Sequence, residues 1–217
     1  MHERATTDAH LSLQGDEFSW DIDGSSEAHE YLLPPVLSLL RQHGARRVLD
    51  LGCGNGSMSH ELSRAGMQVT GVDFSHSGIA RARKNYPQVR FEQHDVSQAL
   101  GSAFRQSFDA VVSTEVVEHL FLPRTLLRNA LSALEPGGLF IATAPFHGYL
   151  KNLILALCGG FDAHWHPLRD HGHIKFFSRD TLTQLFRECG FTELQFLTAG
   201  RIPPLAKSMI IAGRAPQ

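Results

Sequence analysis

Along the middle of the chain, short apolar runs alternate with stretches in which apolar residues recur every three or four positions. The runs read as buried strands and the periodic stretches as amphipathic helices. Strands are predicted over Val48–Leu51, Gln68–Val72, Val89–Gln93, Phe108–Ser113 and Leu139–Ala144. Between them, helices are predicted over Ser57–Ala65, from Ser75 to about Tyr86, and over Arg124–Leu134. The punctuation agrees. Ser75 is placed to cap a helix, Gly66 and Pro87 stop helices, Pro123 suits a first turn, and Pro136-Gly137-Gly138 is a turn. Strands and helices alternating at this spacing make an α/β fold, a parallel sheet with helices on both faces.

The flanks are less regular. Residues 1–26 are mostly polar, with a lone aromatic pair at Phe18 and Trp20, and read as a flexible arm. The alternative is a lid in which Trp20 or Tyr31 covers a ligand. Tyr31, Leu32, Val36, Leu39 and Leu40 form a helical stripe within Glu27–His43, closed by Gly44. Pro34-Pro35 predicts that this helix starts afresh there, because proline lacks an N–H and clashes with the preceding turn. After the fifth strand the pattern breaks. Residues 146–177 hold prolines, glycines and clustered histidines. A helix over Arg179–Cys189, ended by Gly190, then precedes strands over Glu193–Leu197 and Ser208–Ala212. No domain boundary is visible. Residues 1–217 read as one domain, with an arm and helix (1–45), a core (46–145), an insertion or lid (146–177) and a C-terminal helix with two strands (178–217).

At 217 residues, 42% hydrophobic and 19% charged, the chain is long and apolar enough for one globular domain with a real core. A net charge of −2 gives no electrostatic footprint for nucleic acid, and no Lys/Arg block marks a membrane-surface helix. Cys53, Cys158 and Cys189 are far apart, so neither a disulfide framework nor a zinc knuckle is indicated. The N-terminus lacks an apolar signal core, so a cytoplasmic location is expected. Of the 13 histidines, His147, His164, His166, His171 and His173 fall in the insertion.

The candidate chemistry begins at Asp50-x-Gly52-x-Gly54-x-Gly56, where the first strand runs into a glycine turn that opens a helix. Such a turn lets a ligand approach the backbone and meet the free N–H groups of the helix. A dinucleotide fingerprint needs glycine where Ser57 stands, and the Gly-Lys-Ser/Thr of a phosphate loop is absent. In open α/β sheets, ligands bind beyond the C-terminal ends of the strands. The second strand ends at Asp73, placed for the two hydroxyls of a ribose. The third ends at Asp95-Val96, a carboxylate beside an N–H donor, as an adenine edge requires. The fourth leads into Ser113-Thr114-Glu115. In Glu115-Val-Val-Glu118-His119, a helical turn puts two carboxylates and an imidazole on one face. That is metal-ligand chemistry, or a general base with carboxylate orienters. The alternative is a solvated loop with an acid cluster at a helix start.

Asp50–Gly56, Gly71-Val72-Asp73-Phe74-Ser75, Phe91–Val96, Phe108–Val112 and Leu134-Glu135-Pro136-Gly137-Gly138 resemble, in order, the motifs of the Rossmann-like S-adenosylmethionine (SAM) dependent methyltransferases. The resemblance implies an open sheet of order 3-2-1-4-5-7-6 with strand 7 antiparallel. It implies SAM held by Asp50, Gly52, Cys53, Gly54, Asn55, Gly56, Asp73, Phe74, Asp95, Val96 and Glu115. The Glu-x-x-Glu-His stretch is similar to that of the ubiquinone-biosynthesis O-methyltransferases and of the small-RNA 2′-O-methyltransferases. In the RNA group a downstream histidine completes a divalent-metal site. His173 aligns best with it, and His171, His166, His164 and His147 are alternatives. A cation (Mg²⁺, Mn²⁺ or Zn²⁺, with Fe²⁺ also within imidazole chemistry) on Glu115, Glu118, His119 and His173 is the expectation, with His119 and Glu118 catalytic.

The expected function is therefore O-methylation of a small hydroxylated, quinone-like or aromatic acceptor. The alternatives are an RNA-end 2′-O-methyltransferase, against which the near-neutral charge weighs, and a non-catalytic SAM-binding protein. Residues 149–157 are the most apolar stretch, too short for a bilayer, which needs about 20 residues. They read as a lid helix; the quinone-methyltransferase resemblance also allows a peripheral membrane contact. The segment Ala144–Lys151 and the N-terminal arm match those enzymes only loosely, so the acceptor does not transfer from the resemblance, and oligomeric state is not encoded legibly.

Overall fold

A computed structural model describes residues 27–165, 168 and 172–217. The expected arm, with Phe18 and Trp20, and the candidates His166 and His171 lie outside the described residues.

Seven strands are formed: β1 (Arg47–Leu51), β2 (Gln68–Asp73), β3 (Arg90–Gln93), β4 (Phe108–Ser113), β5 (Leu134–Pro145), β6 (Thr192–Ala199) and β7 (Ser208–Arg214). They make one sheet of order β3-β2-β1-β4-β5-β7-β6, as expected. β1 to β5 pair in parallel, and β7 runs antiparallel between β5 and β6. The inner strands are buried on both faces and so read as continuous apolar runs rather than alternating ones.

Helices cover both faces. On one, α1 (Glu27–His43), α2 (Ser57–Arg64) and α3 (His76–Asn85) bury Leu32, Val36, Leu40, Met58, Leu62 and Ile79 against the sheet. On the other, α4 (Pro123–Ala133) and α7 (Arg179–Glu188) bury Leu126, Leu127, Ala130, Leu182 and Phe186. The Phe140 and Phe186 rings stack at 5.1 Å. Full burial of one such side chain contributes about 1.5–3 kcal/mol.

Local signals act largely as read. Ser75 caps α3 by accepting the Gly78 N–H at 3.0 Å. Ser178 and Thr181 form a reciprocal capping box at α7. Four expectations change. α1 is a single helix running through Pro34 and Pro35, because Leu32, Val36 and Leu40 on its inner face are fully buried and packing overrides the proline cost. β5 begins at Leu134, so the expected Pro136-Gly137-Gly138 turn is an irregularity within the strand, with Gly137 at φ 73°. The 115–119 stretch does not form one helical face. Only Val117–His119 is helical, as a 3-10 turn, while Glu115 sits outside it at φ 55°. In the insertion, α5 (Tyr149–Leu157) and α6 (Phe161–Trp165) are helical, yet neither buries a residue. No helix among the described residues is long and apolar enough to cross a membrane.

Candidate active site

The glycine turn is tied to the end of β2. The N–H groups of Gly52 and Cys53 both donate to the Val72 carbonyl, at 2.8 and 3.0 Å. Asp73 then grips the turn from the side. Its Oδ2 accepts the Gly54 N–H and its Oδ1 the Ser75 N–H, each at 2.8 Å. Only glycine fits at position 56. Its φ is 81°, and a Cβ there would lie 2.6 Å from the Phe91 ring and 2.8 Å from Ala82. Beneath the turn Asp50 is fully buried; its Oδ2 accepts the Ser59 hydroxyl at 2.6 Å, and Oδ1 has no partner among the described residues. Burial pushes its carboxyl up to about 7. The Cys53 thiol is likewise raised well above its usual range by burial. Asn55 is buried in the turn, its Oδ1 accepting the Ser57 N–H at 3.3 Å, and Phe74 leaves its ring about half exposed beside Asp73.

Asp95 is exposed, and its two oxygens accept the N–H and hydroxyl of Ser97, while Val96 is buried. Sequence reasoning missed what fixes this loop. The buried Asn129 of α4 donates to the Val96 and Gln98 carbonyls at 2.9 and 2.7 Å and accepts the Leu100 N–H at 3.1 Å. Its signal was a polar residue on the buried stripe of an amphipathic helix. His29 was also missed. Its Nδ1 lies 2.6 Å from the Ser57 hydroxyl, which brings α1 against the turn, and burial lowers its pKa to about 4.

The acids beyond β4 separate into two environments. Glu115 donates its N–H to the Thr143 hydroxyl at 3.0 Å and accepts that hydroxyl's proton at Oε1, 2.8 Å away. Ser208 also hydrogen-bonds its carboxylate, and the Tyr31 hydroxyl lies 3.0 Å from Ser208 Oγ. Burial raises Glu115 to about 7, against the pull of these bonds. Glu118 is buried more severely, and neither of its oxygens has a hydrogen-bond partner among the described residues. Burial, with the nearby charge of Glu115, holds it well above the usual carboxylate range.

Glu118 Oε1 lies 4.0 Å from His119 Nε2 and 3.9 Å from His173 Nε2. One ligand atom from each of the three falls within 4.8 Å of the others. The return of the insertion fixes this arrangement. Ile174 and Lys175 donate their N–H groups to the Glu118 carbonyl at 3.0 and 2.9 Å. His119 Nδ1 lies 3.2 Å from the Gly172 carbonyl. Of the four expected metal ligands, three therefore converge and Glu115 stands outside. Its left-handed backbone turns it toward Thr143. Among the described alternatives to His173, His147 and His164 belong to a separate ring cluster with Trp165.

Classical dinucleotide-binding sheets have the strand order 3-2-1-4-5-6. The strand order and the antiparallel β7 are those that the resemblance to the SAM-dependent methyltransferases implies. The profile of the methyltransferase domain family matches residues 26–195, and the chain belongs to that family. It is 34% identical over 154 residues to the ubiquinone biosynthesis O-methyltransferase of Ruegeria pomeroyi, a match covering 69% of this chain and 61% of that protein. The chain thus spans about three fifths of that relative's length. In fold it is similar to a SAM-dependent methyltransferase of Thermotoga maritima (TM-score 0.67, 20% identity, 86% of this chain and 89% of that one). It is similar also to the magnesium protoporphyrin IX methyltransferase of Synechocystis, solved with bound SAH (TM-score 0.65, 20% identity, 85% and 82% covered).

Proposed function

We propose that this chain moves the methyl group of SAM to a hydroxyl of a small aromatic acceptor, assisted by a divalent cation on Glu118, His119 and His173. One observation carries the reading. The Glu118 carboxyl is buried without a hydrogen bond, and two imidazole nitrogens face it at 3.9 and 4.0 Å. An unpaired buried carboxylate is costly, so such a group is either protonated or bound to a cation. A carboxylate with two imidazoles suits Zn²⁺, Mn²⁺ or Fe²⁺ better than Mg²⁺, which prefers oxygen ligands. Similarity to the ubiquinone biosynthesis O-methyltransferase supports a hydroxylated ring as acceptor.

When bound, SAM supplies an electrophilic sulfonium methyl, and the cation a Lewis acid that lowers the pKa of the acceptor hydroxyl. The protein aligns the two reactants. In this reading Asp73 takes the ribose hydroxyls, the 95–96 turn the adenine, and the glycine turn the methionine end. Alignment of this kind reaches about 7–11 kcal/mol in favourable cases. Without a cation, Nε2 of His119 is the general base, a contribution of roughly 10²–10⁴-fold.

Methylation of catechol by SAM, followed by product mass, tests the reading. EDTA and Glu118→Ala should each abolish turnover, and Mn²⁺ or Zn²⁺ should restore the chelated enzyme. Turnover untouched by both treatments removes the cation and leaves His119 as the base.

The reading includes a peripheral contact of α5 with an anionic lipid surface. Support comes from the exposed Tyr149, Leu153 and Leu157 on α5 and the exposed Arg201 near Lys151.

A further inference from the structure

Four rings meet where the insertion leaves β5. His147 lies 4.8 Å from Trp165 and 5.5 Å from Phe176, Trp165 lies 4.7 Å from Phe176, and His164 flanks Trp165 at 4.7 Å. Three of the contacts are edge-to-face, the geometry that aromatic rings prefer. The odd member is His147. Both its ring nitrogens are shut off from solvent, and neither has a hydrogen-bond partner among the described residues. The same holds for Asn152 Oδ1, one turn into α5, whose Nδ2 lies 3.5 Å from the His147 carbonyl.

Leaving a buried donor or acceptor unsatisfied costs about 1–3 kcal/mol. A phenylalanine at 147 would pack against Trp165 and Phe176 without that cost. An imidazole there makes sense if its nitrogens meet polar atoms of a ligand. Burial lowers its pKa to about 4, so at neutral pH it presents one N–H donor and one bare acceptor. The cluster adjoins the methyl-transfer site, since Phe176 follows His173 by three residues and His147 lies just past the C-terminal end of β5. Trp165 sits on α6, which buries no residue, so these ring contacts rather than core packing are what an entering ring would have to replace.

We propose that His147, walled by Trp165 and Phe176 and aided by Asn152, is an acceptor subsite for a planar ring carrying at least two oxygens. One oxygen is methylated and another hydrogen-bonds His147. The subsite rests on the acceptor reading above and adds to it a specificity-determining residue outside the Glu118–His119–His173 cluster. A plain packing role for the rings makes the opposite prediction about ligands.

The chain has two tryptophans, Trp20 and Trp165. In a Trp20→Phe background the emission therefore reports on the subsite alone. Catechol, with SAH present, should change Trp165 emission in a saturable way, and cyclohexane-1,2-diol, which has the oxygens without the plane, should not. His147→Phe should weaken catechol binding by at least ~10-fold, the loss of about one hydrogen bond. His147→Gln, which keeps a donor and an acceptor, should recover most of it. Unchanged SAH affinity in both variants shows that the fold is intact. Catechol binding equal to wild type in His147→Phe, or Trp165 emission that ignores catechol while the enzyme methylates it, overturns the proposal. Binding that depends on His147, in a protein that transfers no methyl to catechol, supports the subsite and sinks the O-methylation reading instead.

Discussion

His119 and Gly172 are joined by a 3.2 Å hydrogen bond from the imidazole Nδ1 to the backbone carbonyl. A carbonyl only accepts, so Nδ1 carries a proton, and in the neutral form of the ring the lone pair is on Nε2, the nitrogen on the Glu118 side. This is the outer hydrogen bond that orients metal-binding histidines in known sites. Metal binding requires a deprotonated carboxylate, and burial, with the nearby Glu115, shifts Glu118 toward its protonated form when no cation is present. Calorimetric titration with Mn²⁺ or Zn²⁺ in buffers of different ionisation enthalpy should therefore show release of about one proton. Glu118→Gln should abolish that release and weaken binding by ~100-fold or more. Equal proton release in the variant would exclude Glu118 as a ligand.

Asp50 predicts a pH dependence of stability. Its folded pKa is about 7, against an ordinary value of 3.8, so the folded protein holds a proton that the unfolded chain gives up near pH 4. The sign follows from linkage. Stability from this group is fully present below about pH 4 and is lost as pH rises toward 7. Asp50→Asn keeps the shape and an acceptor for Ser59 but does not titrate. The melting temperature of wild type relative to Asp50→Asn should fall across pH 4–7 and level off above it.

Two glycines separate backbone strain from crowding. Gly66 has φ 93°, and a Cβ added there would meet nothing within 4 Å, whereas Gly56 at φ 81° would press a methyl into Phe91 and Ala82. Gly66→Ala should cost about 1 kcal/mol in urea denaturation, from the left-handed backbone alone. Gly56→Ala should cost about 1–3 kcal/mol more, from overpacking, and should also weaken SAM binding.

Asn129 satisfies three backbone groups of the 96–100 loop. Asn129→Leu leaves the Val96 and Gln98 carbonyls and the Leu100 N–H unpaired. A loss of about 2–4 kcal/mol in stability should accompany weaker SAM binding. Asp95→Ala, on the exposed rim of that loop, should weaken SAM binding with little change in stability.

Flotation with anionic vesicles checks the α5 contact. Leu153→Asp with Leu157→Asp should lower recovery in the lipid fraction without changing the melting temperature, because neither side chain is buried. Equal recovery would count against a membrane role.

What was legible in the sequence is what local chemistry dictates. Ser75 capped the helix it was read to cap, and the glycine turn lies at the end of β1 with Asp73 at the end of β2, where the Gly54 N–H bonds its carboxylate. His173, singled out among the insertion's histidines, has its Nε2 3.9 Å from Glu118 Oε1. The misreadings were tertiary. Proline chemistry argued for a break in α1, and only the buried stripe of Leu32, Val36 and Leu40 shows why the helix continues. The i, i+3, i+4 spacing put Glu115 with Glu118, but a left-handed residue at 115 turned it to Thr143, more than twenty positions away in the chain. Asn129 and His147 were polar residues among apolar ones. Their roles depend on what lies opposite them, which spacing does not encode.

The placement of β7 also sets the order in which the molecule is completed. β5 and β6 lie on either side of a gap that only residues 208–214 fill, and these come last among the seven strands. During synthesis the β3-β2-β1-β4-β5 half can pair as it emerges, leaving β5 with an open hydrogen-bonding edge. Ser208, which steadies Glu115, arrives only with that final strand. The glycine turn and its grip by Asp73 thus belong to strands that can pair early, and the Glu115–Ser208 contact to the strand that comes last. An emerging chain is most open to edge-to-edge association in the interval between them.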